Sequence, residues 1–347
     1  MRQLRWIVLP LIASVALTIE AASIPDSGLF ESSVPLEIRI QAPWRLLTRG
    51  MEAGESADGR LVYETQTGDE PELWVRVTTR GISRLDVCEF PLLTLEFRPE
   101  ETSASPFSDQ PIVHLTPQCR NQSGFQDNLI QEYLSYQAYR LLEEPALGVR
   151  LAVVDYLDTN GGRPPRPALA FLVEDLNQAA ARSGGEWLER ETVEIRSLSP
   201  ETLALFGLFQ YMLGNTDWSV LRGPPGEACC HNVGILGQAV TAPQLMPVPF
   251  DLDSTGLVDP PYAAPAADLP IRTVRQRLYR GFCESNSYMP LAIARFQAQR
   301  AELVDLFEDD PLLSRAAQRR TRKYLDSFFE ILDDPKKVQK RIFDDCR

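Results

Sequence analysis

Apolar and polar residues alternate with a period of two through much of the first half of the chain. Leu36-Glu-Ile-Arg-Ile40, Leu73-Trp-Val-Arg-Val-Thr78 and Leu92-Leu-Thr-Leu-Glu-Phe97 each put apolar side chains on one face. This pattern predicts half-buried strands, with Gly54, Gly59 and Gly68 marking turns between them. Val149–Asp155 and Ala168–Val173 predict two more strands. Between these two groups the period lengthens. Leu129, Ile130, Tyr133, Leu134, Tyr136 and Leu141 recur at steps of three and four, which predicts a helix over 126–142. Asp127 near its start suits the helix dipole.

Beyond Glu174 the helical period dominates. Ser199 followed by Pro200 is a cap with proline in the first turn, opening a helix that runs to about Leu213. From about Pro290 amphipathic helices are divided at Asp310-Pro311 and Asp334-Pro335. The expected architecture is therefore α+β, with a sheet-rich part over 23–174 and a mainly helical part over 175–347. Residues 1–22 read as an export signal: Arg2 and Arg5, the apolar run Trp6–Leu17, then Ala21, Ala22 and Ser23. Whether this segment is cleaved or kept as an anchor stays open. No later segment is apolar enough to span a bilayer, so the expectation is an exported protein, periplasmic or extracellular, with no membrane span after signal removal.

Charge narrows the functional classes. The 347 residues carry 35 Lys+Arg against 48 Asp+Glu, a net charge of −13. That balance opposes nucleic acid as a partner by bulk charge. The first lysine is Lys323, which excludes Schiff-base or P-loop-lysine chemistry from everything before it. An oxidising compartment favours disulfides among Cys88, Cys119, Cys229, Cys230, Cys283 and Cys346. Cys88–Cys119 would close a strand-rich region, and one of Cys229 and Cys230 is expected to pair with Cys283. A zinc site is disfavoured, because there is no Cys-x-x-Cys pair and the only histidines are His114 and His231.

Two dense polar stretches carry the candidate chemistry. Gly214-Asn-Thr-Asp217-Trp218-Ser219 follows a helix end, and Cys229-Cys230-His231-Asn232 precedes the apolar run Val233–Leu236. The second stretch, Pro247-Val-Pro-Phe-Asp251-Leu-Asp253, ends a short strand with two carboxylates. Oxygen donors converging from separate segments suit a hard cation such as Mg²⁺. Taken singly, the same residues also serve as helix caps and loop hydrogen-bonders.

A helix followed by Gly-Asn-x-Asp, then His-Asn before a short strand, then Phe-Asp-Leu-Asp, resembles the CotH-like atypical kinases. It is more distantly similar to the HipA and secretory-pathway kinase groups. Val75–Arg84, with Arg80-Gly81-Ile82-Ser83, and Phe171–Asp175 extend the resemblance to about residues 70–285. It implies a two-lobed protein-kinase-like fold and phosphoryl transfer from a nucleotide, ATP, with Mg²⁺ or Mn²⁺, to a protein or small-molecule hydroxyl acceptor. By the same resemblance Asp217 is the catalytic base, and Asn232 and Asp251, with Asp253 as rival, hold the metal. Glu132 pairs with a basic residue of the sheet, Glu174 leads into the hinge, and Arg98 or Arg80 replaces the missing phosphate-contacting lysine. The alternatives are a non-catalytic envelope scaffold of the same fold and a metal-dependent phosphoester hydrolase using Asp217, His231, Asp251 and Asp253.

Overall fold

The alternating segments of the first half pair into a closed barrel. The computed structural model describes residues 28–48, 52–65, 67–81, 83–143, 145–161, 168–224, 226–237 and 244–347. The expected leader at 1–22 lies outside these residues. Strands β1 (Leu36–Ala42), β2 (Ser56–Tyr63), β3 (Glu72–Arg80), β4 (Leu92–Phe97), β5 (Ile112–Pro117), β6 (Val149–Asp158) and β7 (Ala168–Glu174) join in the order β1-β2-β3-β4-β5-β7-β6. Antiparallel pairing sets Ile40 opposite Leu61, and a parallel pairing of β1 with β6 sets Ile38 opposite Val154. The parallel pair seals the sheet, so no strand is left as an open edge.

The inward set of the alternation fills the barrel. Ile38, Ile40, Leu61, Val75, Leu95 and Leu115 are buried there. Helix α1 (Trp44–Leu47) turns Trp44 inward, where its indole N–H donates to the Ile40 carbonyl at 3.0 Å and its ring meets Tyr156 edge-on at 5.0 Å. Gly59, expected in a turn, lies inside β2, where an added Cβ would collide with the Gln41 carbonyl across the strand pair. The short helices α2 (Ser83–Val87) and α3 (Pro99–Thr102) decorate the strand connections.

Helix α4 (Ser123–Leu142) is buried on almost every face, because it lies between the barrel and the second half. The second half contributes α5 (Leu176–Arg182), α6 (Pro200–Leu213), α7 (Met289–Ala298), α8 (Arg300–Glu308), α9 (Arg315–Leu332) and α10 (Pro335–Val338). It also holds a separate sheet in the order β10 (Met246–Pro249), β9 (Val233–Gly237), β8 (Glu186–Trp187). Ser199 caps α6 through the Thr202 N–H and Pro200 occupies its first turn, as that sequence predicts.

This architecture corrects the expectation of a two-lobed protein-kinase-like fold with a sheet lobe followed by a helical lobe. The first sheet is a closed mixed seven-stranded barrel. Moreover, the largest hydrophobic core runs through both halves: Tyr133 and Tyr139 of α4, Phe171 of β7, Phe209 of α6, Phe296 of α7 and Phe328 of α9 belong to one cluster. Residue 174 ends the last barrel strand without ending the core.

All six cysteines are bonded, which fits an oxidising compartment. Cys88 joins Cys119. The expected link from Cys229 or Cys230 to Cys283 is corrected: Cys229 bonds its neighbour Cys230, and Cys283 bonds Cys346. The reason is a tertiary return of the chain, in which the Arg347 N–H donates to the Gly281 carbonyl and the Cys283 N–H donates to that of Arg347. Among the described residues no helix is long and apolar enough to cross a membrane.

Candidate functional site

Three backbone devices bring the dense polar stretches together. Gly214 ends α6 at φ 66°, where a Cβ would run into the Tyr324 hydroxyl, so the chain can turn sharply into Asn215–Asp217. Reciprocal backbone hydrogen bonds of 3.0 Å between Ser219 and His231 then lay the Asp217 turn against His231 and Asn232. Finally, β9 and β10 pair Val233 with Pro249, and the Phe250 N–H donates to the Asn232 carbonyl at 3.2 Å. Asn232 and Asp251 therefore leave neighbouring strand ends side by side. Both sit in the left-handed region, each at φ 53°, a strained backbone that structures tend to retain at working sites.

Asp217 is exposed and held from two sides. The His231 ring Nε2 lies 2.8 Å from one carboxylate oxygen, and the Asn232 amide donates to the other at 3.3 Å and to the Asp217 carbonyl at 2.9 Å. The hydrogen bond to Asp217 holds the His231 imidazole above its usual range, against the opposing effect of burial. Asp251 lies deeper, with its N–H donating to the Tyr136 hydroxyl at 2.7 Å. Burial, reinforced by Asp253, pushes its carboxyl up to about 6.

Behind Asp251 opens a cleft of about 270 Å³, near the lower end for ligand cavities. Its apolar walls include Leu92, Leu147, Val173, Leu176, Trp187 and Phe250. Its polar lining includes Arg80, Glu132, Tyr136 and Asp251, with His114 and Asp175 elsewhere on the wall. Arg80 ends β3, and its Nε–H donates to the Leu93 carbonyl at 3.4 Å. No carboxylate lies within ion-pair distance of it among the described residues. Burial lowers its affinity for a proton, and Asp251 opposes that. His114 Nε2 lies 3.1 Å from Asp175, which also caps α5.

Other sequence-predicted residues sit elsewhere or do different work. Glu132 does not pair with a cation on the sheet; it faces Arg84 of α2 at 3.5 Å. Asp253 joins the same buried group, 4.0 Å from Arg84 and accepting from the Tyr262 hydroxyl at 2.8 Å. Burial raises the Glu132 carboxyl well above its usual range, and Arg84 opposes this. Glu174 borders the cleft, but its carboxylate is occupied by Arg182 at 2.9 Å and the Gly148 N–H at 2.8 Å. Arg98 sits elsewhere: it stacks over Trp74 at 4.2 Å, pairs with Glu101 at 3.3 Å and is not among the residues lining the cleft. Sequence reasoning assigned no role to Arg84, Tyr136 or Tyr262; Arg84 and Tyr136 meet partners remote in the chain, and Tyr262 meets Asp253 nine residues before it.

The donors present suit a hard dication in type, namely the Asp251 and Asp217 carboxylates and the Asn232 amide. Among the described residues, no three of His, Cys, Asp and Glu form a ready-made metal cluster. Oxygen donors of this kind are the type that Mg²⁺ accepts, since Mg²⁺ is commonly held by one or two carboxylates together with water and phosphate oxygens. The arrangement can thus accept an anionic ligand beside Arg80, share a cation at Asp251, and receive a proton at Asp217. Compared with known proteins, the chain matches no protein-family profile and no curated protein.

Proposed function

We propose that the chain is an exported, Mg²⁺- or Mn²⁺-assisted phosphotransferase, periplasmic or extracellular, moving a phosphoryl group from a nucleotide such as ATP to a hydroxyl acceptor. The observation that carries this reading is Arg80, a cation with no carboxylate within ion-pair distance among the described residues, lining an apolar-walled cleft together with Asp251. A cation so enclosed calls for an anion, and the apolar walls suit the flat face of a base. The reading rests on this site alone and needs no kinase-like fold.

Each residue then has a role. Arg80 binds phosphate oxygens, and Asp251 with Asn232 offers oxygen ligands to the cation. When bound, that cation neutralises phosphate charge. Asp217 takes the acceptor's hydroxyl proton as the new oxygen–phosphorus bond forms and the bond to the leaving nucleoside diphosphate breaks. His231 and Asn232 aim Asp217 from either side.

Thermal melting with Mg²⁺ or Mn²⁺ and ATP, ADP or GTP tests the reading. Ligand at a hundred times its dissociation constant stabilises by about 2.7 kcal/mol, an upward melting shift that Asp251→Ala and Arg80→Gln should each abolish. If no nucleotide moves the melting point with either metal, the reading is wrong.

A further inference from the structure

Between the end of α6 at Leu213 and the start of β9 at Val233, the described residues form no helix and no strand. This stretch carries Asp217, His231 and Asn232, so the aim of the Asp217 carboxylate depends on irregular chain. Irregular stretches of this length are uncommon in compact domains and are often functional. Of the three disulfides, Cys229–Cys230 is the one that lies within it.

A disulfide stabilises chiefly by closing a loop, and the effect grows with the length of that loop. The Cys88–Cys119 and Cys283–Cys346 bonds join residues 31 and 63 positions apart. Cys229 and Cys230 are neighbours, so loop closure does not account for their bond. Its effect is local. It ties two side chains and the peptide unit between them into one small ring, which removes torsional freedom immediately before His231. The ring is anchored as well: the Cys229 N–H donates to the Arg190 carbonyl at 2.7 Å, and Cys229 packs in one cluster with Trp218 and Val220. His231 then exchanges backbone hydrogen bonds with Ser219, and the His231 and Asn232 side chains meet Asp217.

We propose that the Cys229–Cys230 bond is a redox-sensitive positioning element that aims Asp217 through His231 and Asn232. The lock itself rests on the loop; its effect on transfer rests on the phosphotransferase reading. Cys229 is buried, whereas Cys230 is half-buried and open to a dithiol reductant. A thiolate of the dithiol attacks Cys230 Sγ, the bond between the two Sγ atoms breaks, and Cys229 leaves with the electron pair. Cys229 then takes a proton from water, with the Val220 carbonyl 3.6 Å away as acceptor for the new thiol. The second thiolate of the dithiol attacks the dithiol's own sulfur in the mixed disulfide and releases Cys230, which is protonated in turn. The dithiol ends as a disulfide, and the cysteine pair has gained two electrons. With the ring open the chain before His231 regains its torsions, and a displacement of about 1 Å at a working group lowers a rate by about 10²-fold.

Treating the full chain with dithiothreitol tests this, with hydrogen exchange at the Ser219 and His231 amides as one readout and the transfer rate as the other. Reduction should speed both exchanges at least about tenfold. The variant carrying Cys229→Ser and Cys230→Ser should exchange as the reduced protein does, with no further response of these amides to dithiothreitol. Its kcat should fall about 10²-fold while the KM for ATP stays unchanged, because Arg80 and Asp251 lie outside the stretch. The control carrying Cys283→Ser and Cys346→Ser should keep the response to reductant. Unchanged exchange in the reduced wild-type protein overturns the lock, and so does failure of the Cys229→Ser, Cys230→Ser variant to fold. Faster exchange in a protein that transfers no phosphoryl group keeps the lock and removes the phosphotransferase reading. Transfer that is indifferent to reduction keeps that reading and overturns the aiming role.

Discussion

In a buried group beside the cleft, Arg84 faces Glu132 and Asp253, and Tyr262 donates to Asp253, with the Arg84 and Glu132 side chains each 5% exposed. At the surface, Asp217 meets His231 and Asn232 with its side chain 53% exposed. Both places combine carboxylates with nitrogen donors at similar distances. Their energetics differ because water screens one and not the other. In the buried group each charge depends on its partners, since removing one leaves another uncompensated. At the surface a carboxylate can lose a partner to solvent cheaply. The fold keeps one charge group enclosed and leaves the other in water, with Asp251 feeling charges from both.

Removing Arg84 should have the largest effect. Arg84→Ala leaves Glu132 and Asp253 buried beside each other and should destabilise by about 3–5 kcal/mol in urea unfolding. By contrast, Asp217→Asn should change stability by no more than about 1 kcal/mol while lowering transfer by about 10²–10⁴-fold. Equal stability losses in the two variants would break the distinction between the buried group and the surface one.

Asp251, at the junction, gives the next largest effect. Its folded pKa of about 6 lies above the value of about 3.9 for an unfolded aspartate. Folding therefore favours its protonated form. The associated stabilisation is complete below about pH 3.9 and is lost as pH rises through about 6. For ligand binding the direction reverses: below about pH 6 the proton competes with the cation. Metal-dependent nucleotide affinity should fall as pH drops through this window, and Asp251→Asn should abolish both pH dependences. A flat affinity profile from pH 5 to 7.5 in the wild-type protein, read by calorimetry, would contradict this account.

The smallest effect belongs to His231. Its pKa is raised by Asp217, so its contribution to stability is present below about 6.5 and fades as pH rises through the raised value. As an imidazolium it ties up Asp217, and transfer should rise with pH as that proton leaves. His231→Gln should flatten this limb of the pH–rate profile. A proton NMR titration of the imidazole should give a midpoint above that of a free histidine; a midpoint at or below it would remove the predicted coupling.

Much of the local structure was legible because short-range rules govern it. Leu36–Ile40 and Leu73–Thr78 alternate because one face meets the barrel core, and Ser199-Pro200 starts α6 because cap and proline chemistry act within one turn. Strands β2 and β5 were not legible: the first half of β2 is Ser-Ala-Asp-Gly, and β5 carries His114 and ends on Pro117. Without them the sheet reads as open, and closure through β1 and β6 is out of reach. At the site, Asp217, Asn232 and Asp251 stood out as polar tips at helix and strand ends. Asp253 and Arg98 have the same local appearance, and only their packing against Tyr262 and Trp74 removes them from that group.

Sequence alone determined the periodicities, the caps, the acidic balance and the restriction to arginine before Lys323, because these depend on residues near one another or on sums over the chain. Tertiary structure decided the barrel closure, the shared core, the Cys283–Cys346 pairing and which carboxylate faces water. Each of these is set by contacts between segments tens of residues apart, whose geometry and burial no local pattern records.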